Sequence, residues 1–189
     1  MRIIITAFEP FGGHLKNSSY EGLKQLNDDS IVKVILPVAY PDAYEKLKDY
    51  IDDQSIVILL GMAAKRPMIS IEERARNILS FRIPDNNGTI ITDRKINEFA
   101  DEYLYSPIDI DKLIKQLNQE NKICYKSSDA GEYICNYLYF EVLNKYECPA
   151  LFVHIPDFQT DEEYLLLNDF LKKIIKYFKG EEKWEKYYL

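Results

Sequence analysis

The feature that most constrains this chain is an alternation of short apolar runs with longer amphipathic ones that continues along most of its length. Arg2 to Ala7 (RIIITA) is a β-branched run that ends at a Pro and Gly cluster, and Ser19 opens a helical pattern in SYEGLKQL. Ile31 to Val38 reads as a second strand, Asp42 to Ile51 as an amphipathic helix, and Ser55 to Leu60 as a third strand stopped by Gly61. Met68 to Asn77 alternates weakly and is expected to be an extended arm, while Phe81 to Gly88 ends in the turn signal Pro84-Asp85-Asn86-Asn87-Gly88. The second half continues with a helix over Ile108 to Gln119, a strand over Ile123 to Ser127, a helix over Ala130 to Lys145 and a strand over Ala150 to His154. A final helix runs from Glu162 to Lys179 and is stopped by Gly180. Strands alternating with helices imply βαβ units, so the expected class is α/β, a three-layer α/β/α sandwich with a mainly parallel twisted sheet.

No repeat, low-complexity tract or linker divides the chain, and 189 residues with 47% apolar content suit a single domain over 1–189. A formal charge of −7 without a Lys/Arg-dense stretch argues against nucleic acid or an anionic membrane as partner, because both are polyanions. No run approaches the ~18 apolar residues of a membrane span, and the amino terminus enters a strand pattern without a signal-peptide layout, so a cytoplasmic protein is expected. Three cysteines, at 124, 135 and 148, argue for free thiols over a disulfide framework. The two histidines, His14 and His154, stand outside any C-x-x-C or H-E-x-x-H spacing, and neither metal nor cofactor is expected.

In a βαβ unit the carboxyl end of a strand and the amino end of the next helix share one edge of the sheet, where ligands bind. Cys135 in the Ala130 helix and His154 at the end of the following strand should therefore meet on one rim, with Glu72 and Phe8 to Gly13 near it. Cys124 and Cys148 lie at or before strand beginnings, which puts them on the opposite edge and singles out Cys135. A helix starting at Ala130 leaves Cys135 a full turn inside, which weakens the pull of the helix dipole on its pKa. An adjacent imidazole would then be the stronger activator, with a carboxylate fixing its tautomer. Plainer readings stand beside these. Cys135 also belongs to an apolar stripe with Leu138 and Val142, a histidine at a strand end is often just hydrogen-bonded, and Glu72-Glu73-Arg74-Ala75-Arg76 has the look of a solvated charge pattern.

Taken together, five segments resemble the pyroglutamyl peptidase I (pyrrolidone-carboxylate peptidase) family. Thr6-Ala7-Phe8-Glu9-Pro10-Phe11-Gly12-Gly13 is similar to its T-G-F-x-P-F-G-G, with Asn17 and Ser19 matching the N-P-S that follows. Gly61 to Asn77 resembles its glutamate motif, and Phe81 to Gly88 its R-I-P-D-N-x-G. Asp129 to Asn136 resembles its cysteine motif, and Phe152 to Pro156 completes the set. The chain departs from the pattern at Ala7, at Ser18 and at Glu73-Arg74, where a basic-then-apolar pair is usual, and its stretch from Ile91 to Pro107 is short. The E-R pair can be aligned to place either Glu72 or Glu73 on the family's glutamate. The spacing from Gly61 and to Asn77 favours Glu72.

The resemblance implies a cysteine peptidase that removes an N-terminal pyroglutamyl residue from peptides, with Cys135 as nucleophile, His154 as base and Glu72 orienting the imidazole. It also implies oxyanion stabilisation by Arg82 and the backbone N–H of Cys135, and substrate contacts from Phe8, Phe11, Met62 and Ile83. Two rival readings stay open: a weakly active or inactive pyroglutamyl-binding homologue, because of Glu73-Arg74, and a nucleoside- or phosphate-binding protein on a similar scaffold, because of the glycine turn after the first strand. Beyond Gly180, residues 181–189 carry Trp184, Tyr187, Tyr188 and Leu189, an aromatic tail that either folds back or meets another subunit of a homo-oligomer.

Overall fold

The computed structural model describes residues 2–180. The first strand, β1 (Arg2–Phe8), leads into helix α1 (Ser18–Gln25), and β2 (Ile31–Leu36) follows. Asn17 caps α1 by accepting a hydrogen bond from the Ser19 amide at 3.0 Å, which satisfies an otherwise orphan donor. Helix α2 (Asp42–Leu47), continued by a 3-10 turn over Lys48–Tyr50, leads to β3 (Ser55–Met62), whose residues are all buried. This first half forms parallel ladders, β1 with β2 and β1 with β3, as its sequence alternation predicts.

The weakly alternating arm at 68–77 is two strands, β4 (Ile69–Glu72) and β5 (Arg74–Arg76), and β5 pairs with a three-residue strand β6 (Tyr103–Tyr105) in a separate antiparallel ribbon. The rest of the chain gives α3 (Ile110–Leu117), β7 (Cys124–Ser127), α4 (Ile134–Lys145), β8 (Ala150–Ile155) and α5 (Asp161–Lys179). Helix α5 has a full capping box between Thr160 and Glu163 and ends at Gly180 in the left-handed conformation, φ 72°.

The main sheet has six strands in the order β2-β1-β3-β8-β4-β7. Four are mutually parallel, but β4 runs antiparallel to β8, and β7 runs parallel to β4. The sheet is thus mainly parallel, with two strands entering from the opposite direction. One face packs against α1, α3 and α5 through residues such as Ile5, Ile58, Val153, Leu23, Leu113 and Phe170. The other packs against α2 and α4 through Ile4, Leu59, Phe152, Leu47, Leu138 and Phe140. Helices on both faces give the expected three layers. The aromatic tail at 181–189 lies outside the described residues. Among the described residues no helix is long and apolar enough to cross a membrane.

The reversed strands correct one step of the sequence argument. Because β7 runs against β8, its beginning lies at the carboxyl edge of the parallel strands, so Cys124 is not excluded by its position along the sheet. It is excluded by its face: Cys124 is fully buried in the core beneath α3 and α5, away from α4. Cys148 is likewise buried, just before β8.

Burial pushes the Cys124 thiol up to about 12 and the Cys148 thiol up to about 11. An unfolded thiol titrates near ~8.5, so above that pH the unfolded chain releases protons that the folded chain keeps. Stability should accordingly hold up to about pH 8.5 and then decline as pH rises. The slope should approach ~1.4 kcal/mol per pH unit for each such group. Urea midpoints measured across this range check it, and a flat midpoint between about pH 8.5 and about pH 10.5 would contradict it.

Candidate active site

The site forms where α4 begins above the carboxyl ends of β3 and β8. Gly131, at φ 81°, turns the chain so that α4 starts at Ile134, four residues later than the sequence pattern indicates. Cys135 is therefore the second residue of the helix and not a full turn inside. Its backbone N–H is one of the first-turn amides that have no partner within the helix, and Tyr133 at the cap position offers no side-chain bond to them. Asn136, fully buried, holds this end in place: its side chain accepts from the Arg76 amide at 2.8 Å and donates to the carbonyls of Arg76 and Ile78 at 2.7 and 2.9 Å.

His154 stands directly beside Gly61 in the β3–β8 ladder. Gly61 is where the sulfur of Cys135 rests. A Cβ at this position would come within 2.9 Å of Sγ of Cys135 and 2.8 Å of the Phe152 ring. A glycine here is required by close approach, because any side chain would occupy the space that seats the thiol beside the imidazole's strand.

Glu72 reaches the same place from β4. In the antiparallel β4–β8 ladder Ser70 faces His154 and Glu72 faces Phe152, so the carboxylate reaches diagonally to the imidazole. Glu72 is 0% exposed, and its Oε1 lies 2.8 Å from His154 Nδ1. The same oxygen lies 3.0 Å from Nη2 of Arg66, and Ser70 Oγ donates to it at 3.4 Å. A carboxylate paired with a guanidinium is ionised and can only accept, so the Nδ1–H of His154 donates to it and Nε2 is left with a lone pair. The neighbouring Glu73 turns elsewhere, to Lys126 at 3.6 Å. The sequence left a choice between the two glutamates, and Glu72 is the one bonded to the histidine.

Burial pushes the Cys135 thiol up to about 12, and the negative charge of Glu72 adds to the rise. Its own backbone N–H and Arg66 pull the other way. At neutral pH Cys135 therefore rests as a thiol.

Cys135 and His154 line one cavity of about 660 Å³, and so do Phe11, Met62, Arg82 and Ile83. Gly12, at φ 60°, carries the loop after β1 so close to Ile83 that a Cβ would meet its Cδ1 at 3.1 Å. Tyr133 joins the two sides, with its ring 4.9 Å from that of Phe81 and 6.0 Å from that of Phe11, and its hydroxyl donates to the Pro84 carbonyl at 3.1 Å. Phe8, which the resemblance puts on this wall, is 2% exposed in the α2/α4 core and is not among the lining residues. It is the last residue of β1, where strand alternation turns its ring into the core. Arg66 was not singled out from sequence, although the demand of a buried glutamate for a cationic partner is a signal that could have found it.

A family model described as "Pyroglutamyl peptidase" matches residues 1–160. The chain belongs to the pyroglutamyl peptidase family. Among its relatives, pyrrolidone-carboxylate peptidase 1 of Caldanaerobacter subterraneus subsp. tengcongensis is 35% identical over 92% of this chain and 94% of the relative. The pyrrolidone-carboxylate peptidase of Thermococcus onnurineus is 34% identical over 82% of this chain and 84% of the relative. Crystal structures of pyrrolidone carboxyl peptidase from Fervidobacterium islandicum, at TM-score 0.85 and 28% identity, and of pyroglutamyl peptidase I from Bacillus amyloliquefaciens, at 0.80 and 26%, share its fold. The first likeness covers 95% of this chain and 99% of the other, and the second 91% of each. This pyroglutamyl peptidase family member keeps the full layered architecture of those structures in 189 residues.

Two outcomes follow from this geometry. Gly61→Ala should displace the thiol, destabilise the fold by ~1–3 kcal/mol through overpacking and remove most activity; a fully active variant with an unchanged urea midpoint would contradict the tight seat. Because the Cys135 pKa is raised, its thiolate fraction at neutral pH is small and should grow about tenfold per pH unit. Inactivation by iodoacetamide should therefore keep accelerating from about pH 7 to about pH 9, whereas a plateau below about pH 8 would mean that the thiolate is already formed.

Proposed function

We propose that this chain removes an N-terminal pyroglutamyl residue from peptides through a thioester on Cys135. The observation that carries the reading is the cavity shared by a first-turn thiol and an imidazole whose far nitrogen is held by Glu72 at 2.8 Å. Family membership supports the substrate class.

The pyroglutamyl ring is a small neutral lactam, and the apolar surfaces of Phe11, Met62 and Ile83 suit it. An ordinary amino terminus would bring a desolvated ammonium against these apolar surfaces, which disfavours it. As the Cys135 sulfur attacks the lactam residue's exocyclic carbonyl, its proton passes to Nε2 of His154 and the S–C bond forms. Negative charge collects on the carbonyl oxygen, where the unpaired N–H of Cys135 and the guanidinium of Arg82 stabilise it. The imidazolium, held against Glu72, then gives its proton to the departing amine as the C–N bond breaks. Water, deprotonated by the same imidazole, attacks the thioester, releasing pyroglutamate and restoring the thiol. Arg66, 3.0 Å from the same Glu72 oxygen, helps hold that carboxylate against the imidazole.

We place this activity in the cytoplasm on the strength of three unpaired cysteines, Cys124, Cys135 and Cys148. The test is release of an arylamine from a pyroglutamyl arylamide. Cys135→Ser and His154→Ala should each lower kcat on the order of 10⁴-fold, and Glu72→Gln should lower it less. Cys124→Ser should remain near wild type, and a dead Cys124→Ser beside an active Cys135→Ser would overturn the assignment.

A further inference from the structure

Although the chain carries a net charge of −7, four arginines, Arg66, Arg74, Arg76 and Arg82, line the cavity that holds Cys135 and His154. Two of them are matched. Arg66 pairs with Glu72 at 3.0 Å, and Arg76 pairs with Glu132 at 3.1 Å and Glu102 at 3.7 Å. Arg74 and Arg82 have no carboxylate at ion-pair distance among the described residues. Glu73, next to Arg74, lies 3.6 Å from Lys126, which it shares with Asp111 at 2.7 Å. The remaining acid on the cavity wall is Asp129, whose Oδ1 accepts from the Gly131 amide at 2.9 Å. With Asp129 and the second carboxylate on Arg76 counted, the local charges nearly balance, and what sets Arg74 and Arg82 apart is that neither meets a carboxylate at ion-pair distance among the described residues.

The hydrogen bonds that hold Arg74 go to neutral groups, and among the described residues the only carboxylate charge that bears on it is that of the adjacent Glu73. The Arg74 Nε donates to the Ser128 carbonyl at 3.0 Å and its Nη1 to the Tyr105 hydroxyl at 3.2 Å, while its guanidinium stacks 4.1 Å from the centre of the Tyr103 ring. A planar guanidinium fixed in this way loses little freedom when it binds an anion, and among the described residues no hydrogen bond engages its Nη2.

Resting on the peptidase reading above, we infer that Arg74 is a specificity-determining residue that favours peptides bearing a carboxylate just after the pyroglutamyl residue. The neutral lactam has no use for a cation, and its place is on the apolar wall. The leaving portion of the peptide crosses the rest of the cavity, where Arg74 stands. An acidic side chain in the next residue, or the free terminal carboxylate of a dipeptide, supplies the missing anion, and a lysine there meets like charge.

Comparing pyroglutamyl-glutamyl amide, pyroglutamyl-alanyl amide, pyroglutamyl-lysyl amide and free pyroglutamyl-alanine separates these cases. Wild type should show kcat/KM about 5–10-fold higher for the glutamyl than for the alanyl amide, mainly through KM, and lower still for the lysyl amide. The preference should shrink as salt rises from about 0.05 M to about 1 M. A gain by free pyroglutamyl-alanine over its amide assigns the terminal carboxylate as a second source of the anion. Arg74→Met should collapse the glutamyl-to-alanyl ratio toward one, and Arg74→Lys should restore part of it. Equal rates on all amides, or a preference that salt does not change, would overturn the inference even if the variants do not fold. A folded Arg74→Met with its preference intact would overturn it equally. Failure to cleave even the alanyl amide would instead overturn the peptidase reading on which it rests.

Discussion

The rest of the site depends on the buried hydrogen bond between Glu72 and His154. A carboxylate with no exposed surface is stable only where its charge is met, and here one oxygen is shared by an imidazole N–H, the guanidinium of Arg66 and the hydroxyl of Ser70. The demand reaches well beyond the pair. Arg66 also donates to Ser127 Oγ at 2.8 Å and to the Asp129 carbonyl at 2.6 Å, and so fastens the segment that leads from β7 into α4. The guanidinium that pairs with Glu72 is thereby also tied to the segment from which the helix of Cys135 begins. The Tyr139 hydroxyl, from within α4, closes the circuit by donating to the Glu72 backbone carbonyl at 3.1 Å.

This arrangement explains why β4 is threaded between β8 and β7 against the direction of the parallel strands. The reversed strand sets Ser70 and Glu72 beside the histidine on the face that carries α4, and its other side chains, Ile69 and Ile71, enter the opposite core. Gly61 completes the geometry from the other flank, since its missing side chain is the space the thiol fills. Side chains from β4, β8 and α4 thus meet at one end of the sheet, beside a cavity whose walls include the loops after β1 and after β5.

The regular half of this architecture was legible in the sequence because each strand up to Leu60 is long, apolar and bounded by turn residues. The irregular half was not. β4, β5 and β6 span four, three and three residues, too short for alternation to register, and nothing local marks a strand as reversed. Chain order places Cys135 and His154 on one rim, and they share a cavity; the same rule places Cys124 on the opposite edge only for a parallel β7, and what separates Cys124 in the reversed strand is that it faces the other core. The start of α4 was read four residues early because Ala130, Gly131 and Glu132 carry no strong breaker beyond the glycine, whose left-handed φ delays the helix. Phe8 and Phe11, alike in sequence, differ because one ends a strand and the other lies past Pro10 on a loop.

In the proposed mechanism the acyl group is carried by one sulfur. Acid-quenching the protein during turnover of a pyroglutamyl ester and mapping the modified peptide by mass spectrometry tests this directly. A pyroglutamyl thioester is expected on the peptide containing Cys135 and none on those containing Cys124 or Cys148. Label on either of the other cysteines, or turnover by a chain in which Cys135 is never acylated, would contradict it.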